Sequence, residues 1–219
     1  MSHLIGCDLV AKEAIAAPGE FQRARPATDD GLAELLESHI ATRQDLPVEQ
    51  LRQEWADAFA ALLRAFKSTR RDQKVPWFGP PMSPATLATA RLMEYWAHGQ
   101  DVAEALKIVP RPTDRIRHVC HLGFVTFEFC FANRGLAVPA SPPRVELRLP
   151  SGQPWVRGPE DAHAFVTGDA LDFALVVTQR RHRLDAALTC QGEAAEQWLA
   201  IAQCFAGPPG PGRQPSEAE

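Results

Sequence analysis

Apolar residues recur at three- and four-residue spacing through most of the first 133 positions, which is the signature of helices that bury one face. Leu4, Ile5, Leu9 and Val10 form a stripe that predicts a helix from Ser2 to about Ala17, ended by Pro18-Gly19. Leu32, Leu35, Leu36 and Ile40 predict a second helix from about Asp30 to Arg43. Asp45, followed by Pro47, opens a third that reaches about Lys67, with Leu51, Trp55, Phe59, Leu62 and Phe66 on one side. Residues 70–82 hold three prolines and a glycine and read as a loop. Ser83-Pro84 then signals the N-terminus of a helix to about Lys107. Beyond Pro110 and Pro112, Thr113 can cap a further helix from Asp114 to about Asn133, although its four phenylalanines and β-branched residues would also suit strands.

The pattern changes at Val138. Pro139 to Pro143 is a linker, Val145 to Leu149 and Pro154 to Arg157 read as strands around a Ser151-Gly152 turn, and Ala164 to Val166 fits a third strand. A helix from Asp169 to Gln179, a strand from Asp185 to Cys190 and a helix from Glu193 to Phe205 complete the series. The expected fold class is α+β: a helical module over 1–137, a small α+β module over 144–206, and a Pro/Gly-rich tail over 207–219, disordered beyond Arg213.

Composition narrows the function. With 219 residues, 45% hydrophobic and 23% charged, the chain can bury real cores. A formal net charge of -4 and scattered basic residues argue against nucleic acid as a partner. Apolar runs such as Phe173 to Val177 fall far short of the roughly 20 residues a bilayer span needs, so no membrane association and a cytoplasmic location are expected. Five cysteines without a CxxC pair support neither a disulfide framework nor a cysteine zinc knuckle.

The residues most able to carry chemistry lie on the helix beginning at Pro84. Arg91, Glu94, His98 and Asp101 are spaced by three, four and three and share one face. Such a stripe is ordinarily a solvated face, but this one is flanked by Met93, Tyr95 and Trp96 and suits a cleft or a bundle interior. A carboxylate and an imidazole one turn apart can bind one ion together, and a third ligand from His3, His118 or His121 would make a catalytic-type site with a position left open. Asp101 either orients His98 or is a surface acid. Arg180, Arg181, His182 and Arg183 form a basic cluster that either complements a helix C-terminus or engages an anion.

The stretch Val75-Pro-Trp-Phe-Gly-Pro-Pro-Met-Ser83, running into Ala90-Arg-Leu-Met-Glu-Tyr-Trp-Ala-His-Gly-Gln-Asp101, resembles the metal-binding domain of the mycothiol-dependent maleylpyruvate isomerase relatives, in the DinB-like helical superfamily. The end of the chain, Phe205-Ala-Gly-Pro-Pro-Gly-Pro-Gly-Arg213, is similar to one metal-binding branch of it. The resemblance implies a helical bundle whose ion is held by a His-Leu pair on an early helix and an E-x-x-x-H on a later one, hence by His3, Glu94 and His98. It sets His118 and His121 aside as packing residues or supports of the ligands. Family members carry a helix before the His-Leu pair; without it His3 should fray, and an exposed apolar face invites a homodimer.

The resemblance further implies a divalent ion, zinc first, that activates a low-molecular-weight thiol such as mycothiol toward a small electrophilic substrate, for isomerisation or transfer, with Arg180 engaging an anionic group. The alternative is a non-catalytic protein whose ion staples the bundle for interaction with a partner.

Overall fold

A computed structural model describes residues 1–216, apart from the side chain of Asp29. The chain divides into two compact units, Met1–Glu94 and a second beginning at Tyr95.

The first unit is helical. Its elements are α1 (Ser2–Ala16), α2 (Pro18–Ala24), α3 (Asp29–Ala41), α4 (Val48–Ser68) and the first half of α5 (Pro84–Ala105). Helix α1 packs against α2, α3 and α4, and it buries Ile5, Val10, Ala11, Ala14 and Ile15. Val10, Ala11, Ala14 and Ile15 join Phe21, Leu62, Val75 and Leu87 in one core cluster. Helix α2 was not expected. Pro18 does end α1, but its fixed φ and missing N–H also suit a first helical turn, and it opens a new helix there. The start of α3 is capped by Thr28 Oγ1, which accepts from Gly31 N at 3.2 Å. Helix α4 begins after Pro47, so Asp45 does not cap it. Ser83 Oγ accepts from Thr86 N at 3.1 Å and caps α5 as the sequence predicts.

The loop before α5 has its own order. Val75 and Met82 form an antiparallel bridge, and Trp77 and Phe78 lie against Phe21, with ring centroids 6.1 and 5.6 Å from it.

The second unit is mixed α+β. The helix expected over 114–133 appears as a 3-10 turn (Asp114–Ile116), α6 (Arg117–Val125) and α7 (Phe127–Ala132). The break falls at Thr126, whose hydroxyl donates to the carbonyls of Leu122 at 2.9 Å and Gly123 at 3.0 Å, a back-bond that bends helices. Strands β1 (Arg144–Arg148), β2 (Pro154–Arg157), β3 (Phe165–Asp169) and β4 (Leu188–Gln191) form a sheet in the order β2-β1-β3-β4. β1 pairs antiparallel with β2 and parallel with β3, and β3 pairs antiparallel with β4. Gly168 in β3 has φ 147°, where a Cβ would meet the Ala187 carbonyl, so the pairing with β4 depends on glycine.

Helix α8 (Ala170–Val177) packs on β3, β1 and α6, and α9 (Glu193–Ile201) packs on β4 and α7. Phe127, Phe173 and Trp198 meet edge to face in this core, the indole 5.3 and 5.7 Å from the two phenyl rings. Boundaries also differ from expectation: β3 runs on to Asp169 instead of ending at Val166, and α8 ends at Val177 instead of Gln179. A 3-10 turn (Arg183–Asp185) occupies the start of the predicted fourth strand. Helix α9 stops at Ile201 instead of Phe205, because the chain turns extended and Cys204 N donates to Val177 O at 2.9 Å. The tail is described as far as Ser216; the rest of the stretch expected to be disordered, residues 217–219, lies outside the described residues. Among the described residues, no helix is long and apolar enough to cross a membrane.

Candidate metal centre

His3 lies in the first turn of α1, and its Nε2 is held on two sides, 3.5 Å from Glu94 Oε2 and 3.5 Å from Cys7 Sγ. Cys7 stands four residues on, so helical spacing alone brings its sulfur up to the ring. The Cys7 and Glu94 hydrogen bonds outweigh the opposing effect of burial and push the His3 pKa up to about 10.

Below this pair, the first unit buries an ion pair. Arg91 Nε donates to Asp8 Oδ1 at 3.1 Å, with 6% of the Arg91 side chain and none of the Asp8 side chain exposed. The sequence reading placed Arg91 on a polar stripe and did not single out Asp8. The signal available was an aspartate set inside the apolar run of α1, between Cys7 and Leu9.

Helix α5 runs unbroken through Glu94 and His98, so the two stand one turn apart on a single rod. His98 Nδ1 is 3.1 Å from Asp101 Oδ2. A ring that donates from Nδ1 carries its lone pair on Nε2, which settles the tautomer suited to metal ligation. Asp101 also receives the fork of Arg180: Nε donates to Oδ1 at 3.1 Å and a terminal nitrogen to Oδ2 at 2.8 Å. Burial opposes ionisation of Asp101, but the Arg180 bond and charge, with His98, hold its carboxyl below the usual range. The other terminal nitrogen of Arg180 donates to Thr178 O at 2.7 Å. The guanidinium is thus built into the support of His98.

The rest of the basic cluster disperses: Arg181 bonds Asp172, and His182 Nδ1 accepts from Leu184 N at 3.2 Å. His118 and His121, on α6, belong to no metal-capable group among the described residues. Burial, with Arg117 for His118 and with Arg157 for His121, lowers both their pKa values.

One donor atom from each of His3, Glu94 and His98 lies within 4.8 Å of the other two, and all three residues are half-buried. Donors about 2.0–2.2 Å from a shared zinc sit roughly 3.3 Å apart, so a small inward movement would satisfy an ion. Two imidazoles and a carboxylate are a donor set of the type zinc and similar divalent metals take, with a coordination position left over.

Residues 1–103 match the family described as the mycothiol maleylpyruvate isomerase N-terminal domain. Proteins of two Mycobacterium tuberculosis strains, both described as uncharacterised, are 41% identical over 213 residues, spanning 97% of this chain and 83% of theirs. Two solved chains of mycothiol-dependent maleylpyruvate isomerase, one a point mutant, align over 86% of this chain and 76% of their own, with TM-scores of 0.48 and 0.45 at 21% and 17% identity. The chain belongs to the family of these Mycobacterium tuberculosis proteins, and its first 103 residues match the mycothiol maleylpyruvate isomerase N-terminal domain.

Proposed function

We propose that the chain is a divalent-metal protein that uses a low-molecular-weight thiol, mycothiol by family, in an isomerase or transferase reaction on a small electrophilic substrate. The observation that carries it is that one donor atom from each of His3, Glu94 and His98 lies within 4.8 Å of the other two. On this reading the metal, zinc first, lowers the pKa of a coordinated thiol and so supplies a nucleophile at neutral pH.

The protein's own residues do the positioning. His3, Glu94 and His98 would hold the ion, with Glu94 the one carboxylate and His98 aimed by Asp101. Arg180 fixes Asp101, so its contribution is to His98 first; engaging a substrate anion would require exchanging that carboxylate for the ligand's. The assignment places the metal function in residues 1–137 and Arg180 in the module over 144–206, in a cytoplasmic protein.

A second reading is an ion that only staples helices together; closed four-ligand sites are usually structural, and the group found among the described residues holds three donors. Elemental analysis of His98→Ala tests the site, with loss of stoichiometric metal expected; full retention would exclude it. Thiol-dependent turnover of an electrophile panel by metal-loaded protein separates the two readings, and its absence favours the staple.

A further inference from the structure

We propose that the second unit holds a phosphate site, built where the residues after Arg180 meet the tail, which takes inorganic phosphate or the phosphate group of a small ester. It is independent of the metal centre. Arg180, whose fork turns to Asp101, does not line it.

The backbone sets the cavity. Gln179 adopts φ 60° just past α8, in the left-handed region that few residues other than glycine visit, and its side-chain amide donates to Ala202 O at 3.1 Å. This turn ends α8 and ties the chain to the end of α9. Arg181, His182 and Arg183 part ways in their hydrogen bonds, yet all three line one cavity of about 50 Å³, together with Arg134 from the turn after α7 and Arg213 from the tail. The tail is fastened beside it: Gln203 Nε2 donates to the carbonyls of Phe205 and Gly207, both at 3.2 Å, and Asn133 Nδ2 donates to Gly207 O at 3.1 Å.

The charges there do not cancel. Four guanidinium groups and an imidazole line the cavity, and among the described residues no carboxylate does. Asp172 offsets Arg181 and Glu104 offsets Arg213. Among the described residues no ion pair engages Arg134 or Arg183, which leaves two positive charges, the number that a phosphate dianion balances and a single carboxylate does not.

The donors are placed for oxygen. Arg134 Nη2 donates to Gly210 O at 2.8 Å and so fixes the guanidinium, while its Nη1 is buried without a hydrogen-bond partner. A buried donor is costly unless an acceptor meets it, and a phosphate oxygen would meet this one with charge as well. His182 Nδ1 accepts from Leu184 N at 3.2 Å, so the hydrogen of that ring sits on Nε2 as a further donor. At about 10–15 Å³ for each water, the cavity has room for about three or four, which suits one tetrahedral oxyanion and excludes a sugar or an aromatic ring. The body of an ester would therefore stay outside.

Titration calorimetry and phosphorus NMR of the full chain with inorganic phosphate test this without metal, thiol or turnover, so a failure here leaves the metal reading standing. One phosphate should bind per chain. Arg134→Gln and Arg183→Gln should each weaken it about tenfold or more. Arg148→Gln, which breaks only an exposed pair with Asp169, should bind as the wild type does. Should Arg134→Gln misfold, Arg183→Gln decides, since that half-buried side chain holds no ion pair among the described residues. Glycerol phosphate that competes with inorganic phosphate would make an ester the ligand, and its exclusion would make the free ion the ligand; either supports the site. Phosphate binding undiminished in the arginine variants, as for phosphate held at a bound metal, overturns the proposal. Acetate or malonate binding as tightly as phosphate would overturn the choice of phosphate. No binding by the folded wild type up to about 10 mM phosphate would overturn the site itself.

Discussion

Replacing Asp101 by alanine isolates the support of His98 from the ligands themselves. The carboxylate holds Nδ1 at 3.1 Å and is fixed by both arms of the Arg180 fork. Removing such a partner from a metal-bound imidazole typically costs 10–100-fold in affinity, about 1.4–2.7 kcal/mol, through lost ring orientation and lost basicity. The low end applies here. The His98 and Asp101 side chains are 35% and 39% exposed, so water can replace part of the bond. We expect zinc to bind Asp101→Ala about tenfold more weakly, with Asp101→Asn between the two, in competition titrations against a chromophoric chelator. Glu104→Gln, which breaks only the exposed pair with Arg213, serves as control and should not change affinity. Because Arg180 keeps Asp101 ionised below the usual carboxylate range, the wild-type to variant ratio should hold from pH 7 down to about pH 5. Equal affinities for wild type and Asp101→Ala would refute the argument that this carboxylate aims His98.

Three further outcomes test the fold. Gly123→Ala places a Cβ 2.7 Å from Val177 Cγ2, where Val177 is 1% exposed and has no room to retreat; overpacking of about 1–3 kcal/mol, less up to about 1 kcal/mol of helix propensity, should lower the urea midpoint, and an unchanged or higher midpoint would contradict it. Arg91→Met removes the guanidinium from the buried pair with Asp8 and should destabilise by up to about 3–5 kcal/mol in chemical denaturation, with part recovered in the double variant with Asp8→Asn; a loss under about 1 kcal/mol would show that the pair is not desolvated as described. Burial pushes the Cys120 thiol from 9.0 up to about 12, and a raised pKa contributes stability that is intact below the unfolded value and lost as pH climbs toward the folded one. Unfolding free energy should therefore fall by up to about 1.4 kcal/mol per pH unit above pH 9, and Cys120→Ala should flatten that slope; identical slopes would exclude the thiol as its source.

Much of this architecture was legible because periodicity reports burial directly. Glu94 and His98 could be read as a pair from their spacing on a well-signalled helix, whereas choosing His3 over His118 and His121 needed the family resemblance, since nothing local links position 3 to position 94. Asp101 could be suspected from its spacing, but its partner Arg180 lies 79 positions away and only tertiary folding brings them together. The contact between Cys7 and His3 follows from a four-residue offset already present in the sequence. Helix α2 was missed because proline both ends and begins helices, and the α6–α7 break because a threonine hydroxyl bonding backward leaves the apolar pattern unchanged.

The bridge between Val75 and Met82, with Trp77 and Phe78 set on Phe21, makes the connection into α5 a clasp. Its three prolines reduce the freedom the unfolded chain must surrender, and the rings anchor what the prolines stiffen. A segment with almost no regular structure can therefore resist proteases as a helix would, and it delivers the start of α5 from a fixed footing.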